Sequence, residues 1–183
     1  NNHNTDSKRM CRYLFFYIIF IFYNIVHYSK YHFIRFNMKK AIVFGGSGFL
    51  GSHVADELTN NNFQVTIFDI KKSKYLSKTQ KMIIGDMNNY QQVKKAVRGK
   101  NYIFNFGGVA DIEEANNYPF KTIHSNVIGL TNILEAIKND KKLLRLVFAS
   151  SIYARSKQGG FYSSSKRACE SILENYSDKY NIK

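Results

Sequence analysis

The residues with the most specific chemistry lie near the end of the sequence. Tyr162-Ser163-Ser164-Ser165-Lys166 sets a phenol and an amine four positions apart, which on a helix places both side chains on one face. An ammonium group beside a phenol favours the phenolate, so the tyrosine can exchange a proton nearer neutral pH. The same lysine can hold the ribose of a bound dinucleotide. By itself a Tyr-x-x-x-Lys spacing is common on helix surfaces and indicates nothing. Here it follows Leu144–Ala149, an apolar run that reads as a strand and leads into Ser150-Ser151. In a parallel sheet, a hydroxyl at the C-terminal end of a central strand lies where ligands bind.

About 110 residues upstream of the tyrosine stands a glycine-rich turn, Gly45-Gly46-Ser47-Gly48-Phe49-Leu50-Gly51. It satisfies G-x-G-x-x-G through Gly46, Gly48 and Gly51, and G-x-x-G-x-x-G through Gly45, Gly48 and Gly51. Side chains at these positions would block the tight turn, the approach of a pyrophosphate and the packing of helix on strand. The helix start at Phe49, Leu50 and Gly51 offers free N–H groups and a positive dipole end to phosphates. Asp69 closes the second apolar run, 18 residues after Gly51. An acid there accepts hydrogen bonds from the adenosine ribose and repels a 2′-phosphate, favouring NAD over NADP; Lys71 and Lys72 soften that preference, and a turn or cap is the plainer role. Asp86, with Met87 beside it, ends the third run, where an acid either receives the adenine amino group or caps the next helix.

These groups need a frame. Lys40–Phe44, Gln64–Phe68, Lys81–Ile84, Tyr102–Phe106 and Leu144–Ala149 read as strands. Helical patterns fill Gly48–Asn60, Asn89–Arg98, Phe120–Lys138 and Gly160–Tyr180, the third with Val127, Leu130, Ile133, Leu134 and Ile137 on one face. Such alternation predicts an α/β fold: a doubly wound parallel sheet, the Rossmann fold, with helices on both faces and strand order 3-2-1-4-5. Asn126, polar and early in an apolar helix, is expected to organise backbone or water near the active site.

From Met38 onward the chain resembles the extended short-chain dehydrogenase/reductase family, specifically its NAD-dependent epimerase/dehydratase group. GGSGFLGSHV at Gly45–Val54 is similar to that family's opening loop. NFGGVAD at Asn105–Asp111 resembles its fourth-strand motif, with Gly107 and Gly108 where two alanines are usual; small residues there let the cofactor lie against the backbone. NVIGLTNILEAI at Asn126–Ile137 is similar to its long-helix signature, with Leu130 replacing threonine. VFASS at Val147–Ser151 resembles the strand ending in the catalytic serine or threonine. The resemblance implies NAD as cofactor and a nucleotide-sugar substrate. It makes Ser151 the catalytic hydroxyl, Tyr162 the acid/base and Lys166 its partner, and it implies a cytoplasmic protein that is a homodimer when full length. Dehydratases and decarboxylases of the group carry an acid just after the catalytic hydroxyl. Ile152, Tyr153 and Ala154 stand here, which favours epimerisation through a keto-sugar. The alternatives are another oxidoreductase of the family, or a non-catalytic NAD-binding protein.

Two departures accompany the resemblance. Ile152–Phe161 is shorter than the family's usual approach to the tyrosine, with Gly159-Gly160 in place of a proline-containing segment. The family also continues with a sixth strand and a C-terminal domain that grips the sugar nucleotide. The expectation is therefore a truncated NAD-binding domain over 38–183, inactive by itself.

The remaining features are plainer. The net charge of +14 invites a polyanion partner, but the basic residues are scattered. The densest group, Lys138, Lys141, Lys142 and Arg145, is interrupted by Asp140 and has no interleaved aromatic, so it reads as solvated surface and no nucleic-acid partner is expected. Cys11 and Cys169 match no metal spacing; His53 and His124 read as helix packing or surface, and no metal is expected. Residues 1–37 form an extension of different character, with the apolar run Tyr13–Tyr28 behind Lys8, Arg9 and Arg12. Three readings stand: translated sequence upstream of a start at Met38, a membrane anchor shorter than the roughly 20 residues a spanning helix needs, or an extra helix.

Overall fold

The chain divides into two units, Asn1–Asn37 and Met38–Lys183. The structure, a computed structural model, describes residues 38–156 and 158–183. The apolar run Tyr13–Tyr28 and Cys11 lie outside the described residues. Among the described residues no helix is long and apolar enough to cross a membrane.

Five strands form one sheet: β1 (Lys40–Phe44), β2 (Gln64–Asp69), β3 (Lys81–Ile84), β4 (Tyr102–Asn105) and β5 (Arg145–Phe148). Their order is β3-β2-β1-β4-β5 and every pairing is parallel, the doubly wound arrangement the alternating pattern predicts. β1 is central, and Ala41, Ile42, Val43 and Phe44 are all buried, as expected of a strand covered on both faces. Alternate residues then serve different layers. Ile42, Phe44, Phe68 and Ile103 join one core cluster with residues of α2 (Tyr90–Val97), α5 (Gly129–Ile137) and α6 (Gly160–Tyr180). α1 (Phe49–Asn60) packs against β1 and β2, burying Val54, Ala55 and Leu58.

Three local differences from the sequence pattern matter. A short helix, α3 (Ile112–Asn117), lies between β4 and the long helix, and Asp111 caps it by accepting the Glu114 N–H at 2.7 Å. The long helix begins at Pro119 and is built of α4 (Pro119–Ile123), a π-helical turn over His124–Ile128, and α5. Finally, a 3₁₀ turn over Ile152–Arg155 follows β5. Smaller shifts move β2 out to Asp69, end β5 at Phe148, and start α2 at Tyr90, with Asn89 as its cap.

Candidate active site

The glycine turn joins β1 to α1, and its glycines are demanded by contact. A Cβ on Gly45 would stand 2.6 Å from the Gly107 nitrogen and the Phe106 carbonyl carbon, and one on Gly51 would stand 2.2 Å from the Gly45 oxygen. Gly46 is closed by Ile67, 2.8 Å away. At Gly48 a Cβ would meet only the Gly45 oxygen, at 3.3 Å. Gly48 is thus the least hemmed in of the four glycines, although a Cβ there would still press on the Gly45 oxygen. Gly48 is the N-cap of α1 and provides no side-chain cap, and the first turn holds no acid, so no side chain of the helix start satisfies its N–H groups or its positive end. Phe49 is exposed and stacks edge-on against His53, ring centroids 4.9 Å apart; Leu50 is half-buried.

Asp69 sits at the end of β2 and is tied to this turn. One carboxylate oxygen accepts the Ser47 N–H and the other the Lys71 N–H, each at 3.0 Å. The Ser47 hydroxyl donates to the Lys71 carbonyl at 2.7 Å. Each carboxylate oxygen retains a lone pair for a sugar hydroxyl. The turn role of Asp69 is therefore the one the structure displays, and it leaves the carboxylate able to accept further hydrogen bonds.

Asp86 is exposed and accepts the Asn88 N–H at 2.9 Å, while Asn89 is the residue that caps α2. Met87 points its side chain into the core, where its sulfur would lie 2.2 Å from a Cβ on Gly107. Its carbonyl accepts Asn132 Nδ2 at 2.9 Å. Gly108 has φ +120°, and a Cβ there would fall 2.3 Å from Asn126 Oδ1. The glycine pair in place of two alanines is accounted for by these neighbours: the volume beside β4 is taken by Met87 and Asn126.

Asn126 lies in the π turn and is buried. Its amide accepts the Val109 N–H at 2.7 Å and donates to the Val109 carbonyl at 3.0 Å and to Ser165 Oγ at 2.9 Å. It therefore organises backbone, as the sequence suggests, linking the β4 loop to α6.

Ser151, Tyr162 and Lys166 meet at the carboxyl end of β5, which is an edge strand of the described sheet and not the central strand the sequence suggests. Ser151 follows the strand end and accepts the Tyr153 N–H at 3.3 Å, capping the 3₁₀ turn. Tyr162 packs in the first turn of α6 against Val109 and Ala115. Burial raises its phenol above the ordinary value, a hydrogen bond with Ser151 draws it back, and Tyr153 raises it further. Lys166 is 7 % exposed. Its ammonium donates to the Ala149 carbonyl at 2.7 Å and lies 4.7 Å from the Phe148 ring centroid and 5.7 Å from that of Tyr162. Burial lowers the Lys166 amine to about 8, with Cys169 and Glu170 acting in the opposite sense. The simple expectation that the lysine brings the phenol down is corrected here. The ammonium faces the tyrosine ring, and Ser151 is the group that lowers the phenol against its burial.

The site thus contains what proton exchange at a substrate hydroxyl needs: a phenol, a hydroxyl hydrogen-bonded to it, and a buried amine. Sequence reasoning missed Glu170, which accepts a hydrogen bond from Ser150 Oγ; its place four residues after Lys166 was the available signal. Cys169 is buried and its thiol is pushed up to about 11 by burial, which agrees with a packing role. Among the described residues no cluster of His, Cys, Asp and Glu suits a metal ion.

Residues 41–183 match the NAD dependent epimerase/dehydratase family. The UDP-glucose 4-epimerase of Rickettsia typhi is 28% identical over 138 residues, covering 66% of this chain and 40% of that protein. The Thermus thermophilus UDP-glucose 4-epimerase, solved in complex with NAD, superposes with a TM-score of 0.69 at 25% identity over 79% of this chain and 52% of that one. A UDP-N-acetylglucosamine 4-epimerase from Methanobrevibacter ruminantium, solved with UDP-N-acetylmuramic acid, shares the fold at TM-score 0.71 and 22% identity, over 80% of this chain and 53% of that one. The chain spans less than half the length of the Rickettsia relative and about half of each solved structure.

Proposed function

Because this chain belongs to the NAD dependent epimerase/dehydratase family, we propose that it carries the NAD-binding part and the acid/base residues of a nucleotide-sugar 4-epimerase. The observation that carries this reading is the meeting of Ser151, Tyr162 and Lys166 at the carboxyl end of β5, in the same sheet as the glycine turn. The cofactor residues fit NAD. The Gly48 backbone and the uncapped start of α1 at Phe49, Leu50 and Gly51 receive the pyrophosphate. Asp69 receives the adenosine ribose hydroxyls, and Asp86 the adenine amino group. Gly107 and Gly108 present bare backbone, with the Met87 side chain packed beneath Gly107.

NAD, when bound, would supply the hydride acceptor and donor. The chain's own residues manage the proton and the alignment. Tyr162 takes the proton from the sugar hydroxyl as the carbon is oxidised and gives it back on reduction. Ser151 donates its one hydroxyl hydrogen to the same oxygen, holding it in line with the phenol. Lys166, fixed by the Ala149 carbonyl, supplies positive charge beside the tyrosine and holds the nicotinamide ribose. Elimination of water or carbon dioxide needs a further acid/base group. Ile152, Tyr153 and Ala154, which follow Ser151, supply no carboxylate, so the oxidised sugar turns over and is reduced on its other face. The test is interconversion of UDP-glucose and UDP-galactose by the intact protein. Equilibration of the two sugars is expected, slowed about a hundredfold or more in Tyr162→Phe. An intact protein that binds NAD yet leaves every UDP-sugar offered unchanged would overturn the epimerase reading.

A further inference from the structure

The end of β5 and one stripe of α6 are matched residue for residue. Ala149, Ser150 and Ser151 are consecutive. Tyr162, Lys166 and Glu170 recur every four residues and so lie along one face of the helix. The Ala149 carbonyl holds Lys166, the Ser150 hydroxyl donates to a Glu170 carboxylate oxygen, and Ser151 draws the Tyr162 phenol down against its burial. Two of the three contacts belong to the acid/base group already described. The third, Ser150 with Glu170, has no part in it so far.

We propose that Glu170 is a positioning residue for this pair: its carboxylate, tethered by Ser150, keeps the Lys166 side chain charged beside Tyr162. The inference rests on the epimerase reading for its purpose, though not for its physics. An ammonium as buried as Lys166 is costly unless an opposite charge or hydrogen bonds offset the lost water. Its own contacts are a neutral carbonyl and two aromatic faces. The titratable groups around it on its own helix are Tyr162, Cys169 and Glu170. β5 and its end contribute the Phe148 ring and the Ala149 carbonyl, and the 3₁₀ turn contributes Tyr153, which acts through Tyr162. Cys169 is held as the neutral thiol by burial. Glu170 is therefore the carboxylate that supports the Lys166 cation among the described residues. Ser150 fixes that carboxylate from the strand side, so its distance to the amine is set by the fold rather than by a free rotamer.

A latch between strand and helix would predict the same contact, so the test must read charge. In the intact protein labelled with carbon-13 at the lysine Cε, the Lys166 resonance is identified by its loss in Lys166→Met, and its titration midpoint is followed by NMR. Glu170→Gln, which keeps shape and hydrogen bonding, should move the midpoint toward acid by about tenfold in proton concentration. Ser150→Ala should move it the same way by about threefold, because the carboxylate remains but is no longer held. The alkaline limb of the turnover profile should follow the midpoint in both variants. A folded Glu170→Gln protein with an unmoved midpoint would overturn the proposal. If Glu170→Gln does not fold, an unmoved midpoint in Ser150→Ala does so instead. Failure of the wild-type protein to turn over any nucleotide sugar would strike the epimerase reading, while the NMR midpoint would still decide this one.

Discussion

Removing the Asn126 side chain should be among the most damaging single changes in the domain, although it touches no reacting atom. In Asn126→Ala, the Val109 N–H and carbonyl both lose their partner. Ser165 does not, because its hydroxyl still donates to the Tyr162 carbonyl at 2.8 Å. Each buried backbone group left unpaired costs about 1–3 kcal/mol. Two such groups, with some relief from entering water, give about 2–4 kcal/mol. For a domain of this size that is a fall in Tm of roughly 5–15 °C. Urea unfolding of the intact protein measures it. A double-mutant cycle with Gly108→Ala sharpens the test. Alone, that alanine would press its Cβ to 2.3 Å from Asn126 Oδ1, at a backbone φ of +120°. In the Asn126→Ala background the obstructing oxygen is gone and only the backbone strain remains. The double variant should therefore be more stable than the two single effects predict by about 1 kcal/mol or more. Stability of Asn126→Ala within about 0.5 kcal/mol of wild type, or strict additivity in the cycle, would refute the reasoning.

Four further outcomes are expected. Tyr162→Phe should lower turnover by about a hundredfold or more while NAD affinity, measured by calorimetry, is kept; near-normal turnover removes the phenol from the mechanism. Asp69→Ala should narrow the preference for NAD over NADP and also weaken NAD binding, because the Ser47 amide loses its acceptor; unchanged selectivity would move the discrimination to Lys71 and Lys72. Gly51→Ala should abolish NAD binding, since its Cβ would lie 2.2 Å from the Gly45 backbone oxygen, and wild-type affinity in a spectroscopic titration would contradict this. The last concerns pH. Lys166 titrates at about 8 when folded against an ordinary value of 10.5. Between these pH values the unfolded chain holds a proton that the folded chain has released, so stability relative to Lys166→Met should rise with pH across that window and stay level below it. Urea unfolding at several pH values checks the sign; a flat difference from pH 8 to 10.5 would show that burial does not depress this amine.

What could be read from the sequence was what short-range pattern encodes. The five apolar runs gave the strands, and the glycine spacing between β1 and α1 located the turn, because both depend on neighbours within a few residues. α3 was missed although Asp111 and Glu114 have the spacing of a capping box; six residues with little apolar periodicity hid it. The π turn was beyond reach for a different reason. Its sequence, HSNVI, sits inside a good helical pattern, and the widening accompanies contacts that Asn126 makes with Val109 and Ser165, 17 and 39 residues away. Such turns are concentrated at functional sites, and here it joins the β4 loop to the helix that carries Tyr162. The direction of the Tyr162 shift was misjudged likewise, since i, i+4 spacing reports that two side chains share a face, and not whether the amine meets the oxygen or the ring.

The short connection between Ser151 and Tyr162 shows how a compact segment can hold a helix start in place. Ten residues, 152–161, must carry the chain from Ser151 to Tyr162. Ser151 caps a 3₁₀ turn that folds the chain back on itself. The carbonyl of Tyr153 in that turn accepts the Ser163 hydroxyl at 2.7 Å, and the Ser156 carbonyl accepts it at 3.3 Å, tying the turn to the helix that follows. The helix then starts without a side-chain cap of its own. Asn116, at the end of α3, takes that place by accepting the Phe161 N–H at 3.0 Å. This close approach requires Gly160, whose φ is +51° and whose Cβ would lie 2.1 Å from Asn116 Oδ1. The glycine pair therefore leads into α6 by a short path, because α3 reaches across to finish the helix. The position of Tyr162 depends on this loop, on α3 and on the π turn together. Substitutions at Gly160 or Asn116 should accordingly disturb proton exchange at Tyr162 while leaving the glycine turn and Asp69 intact.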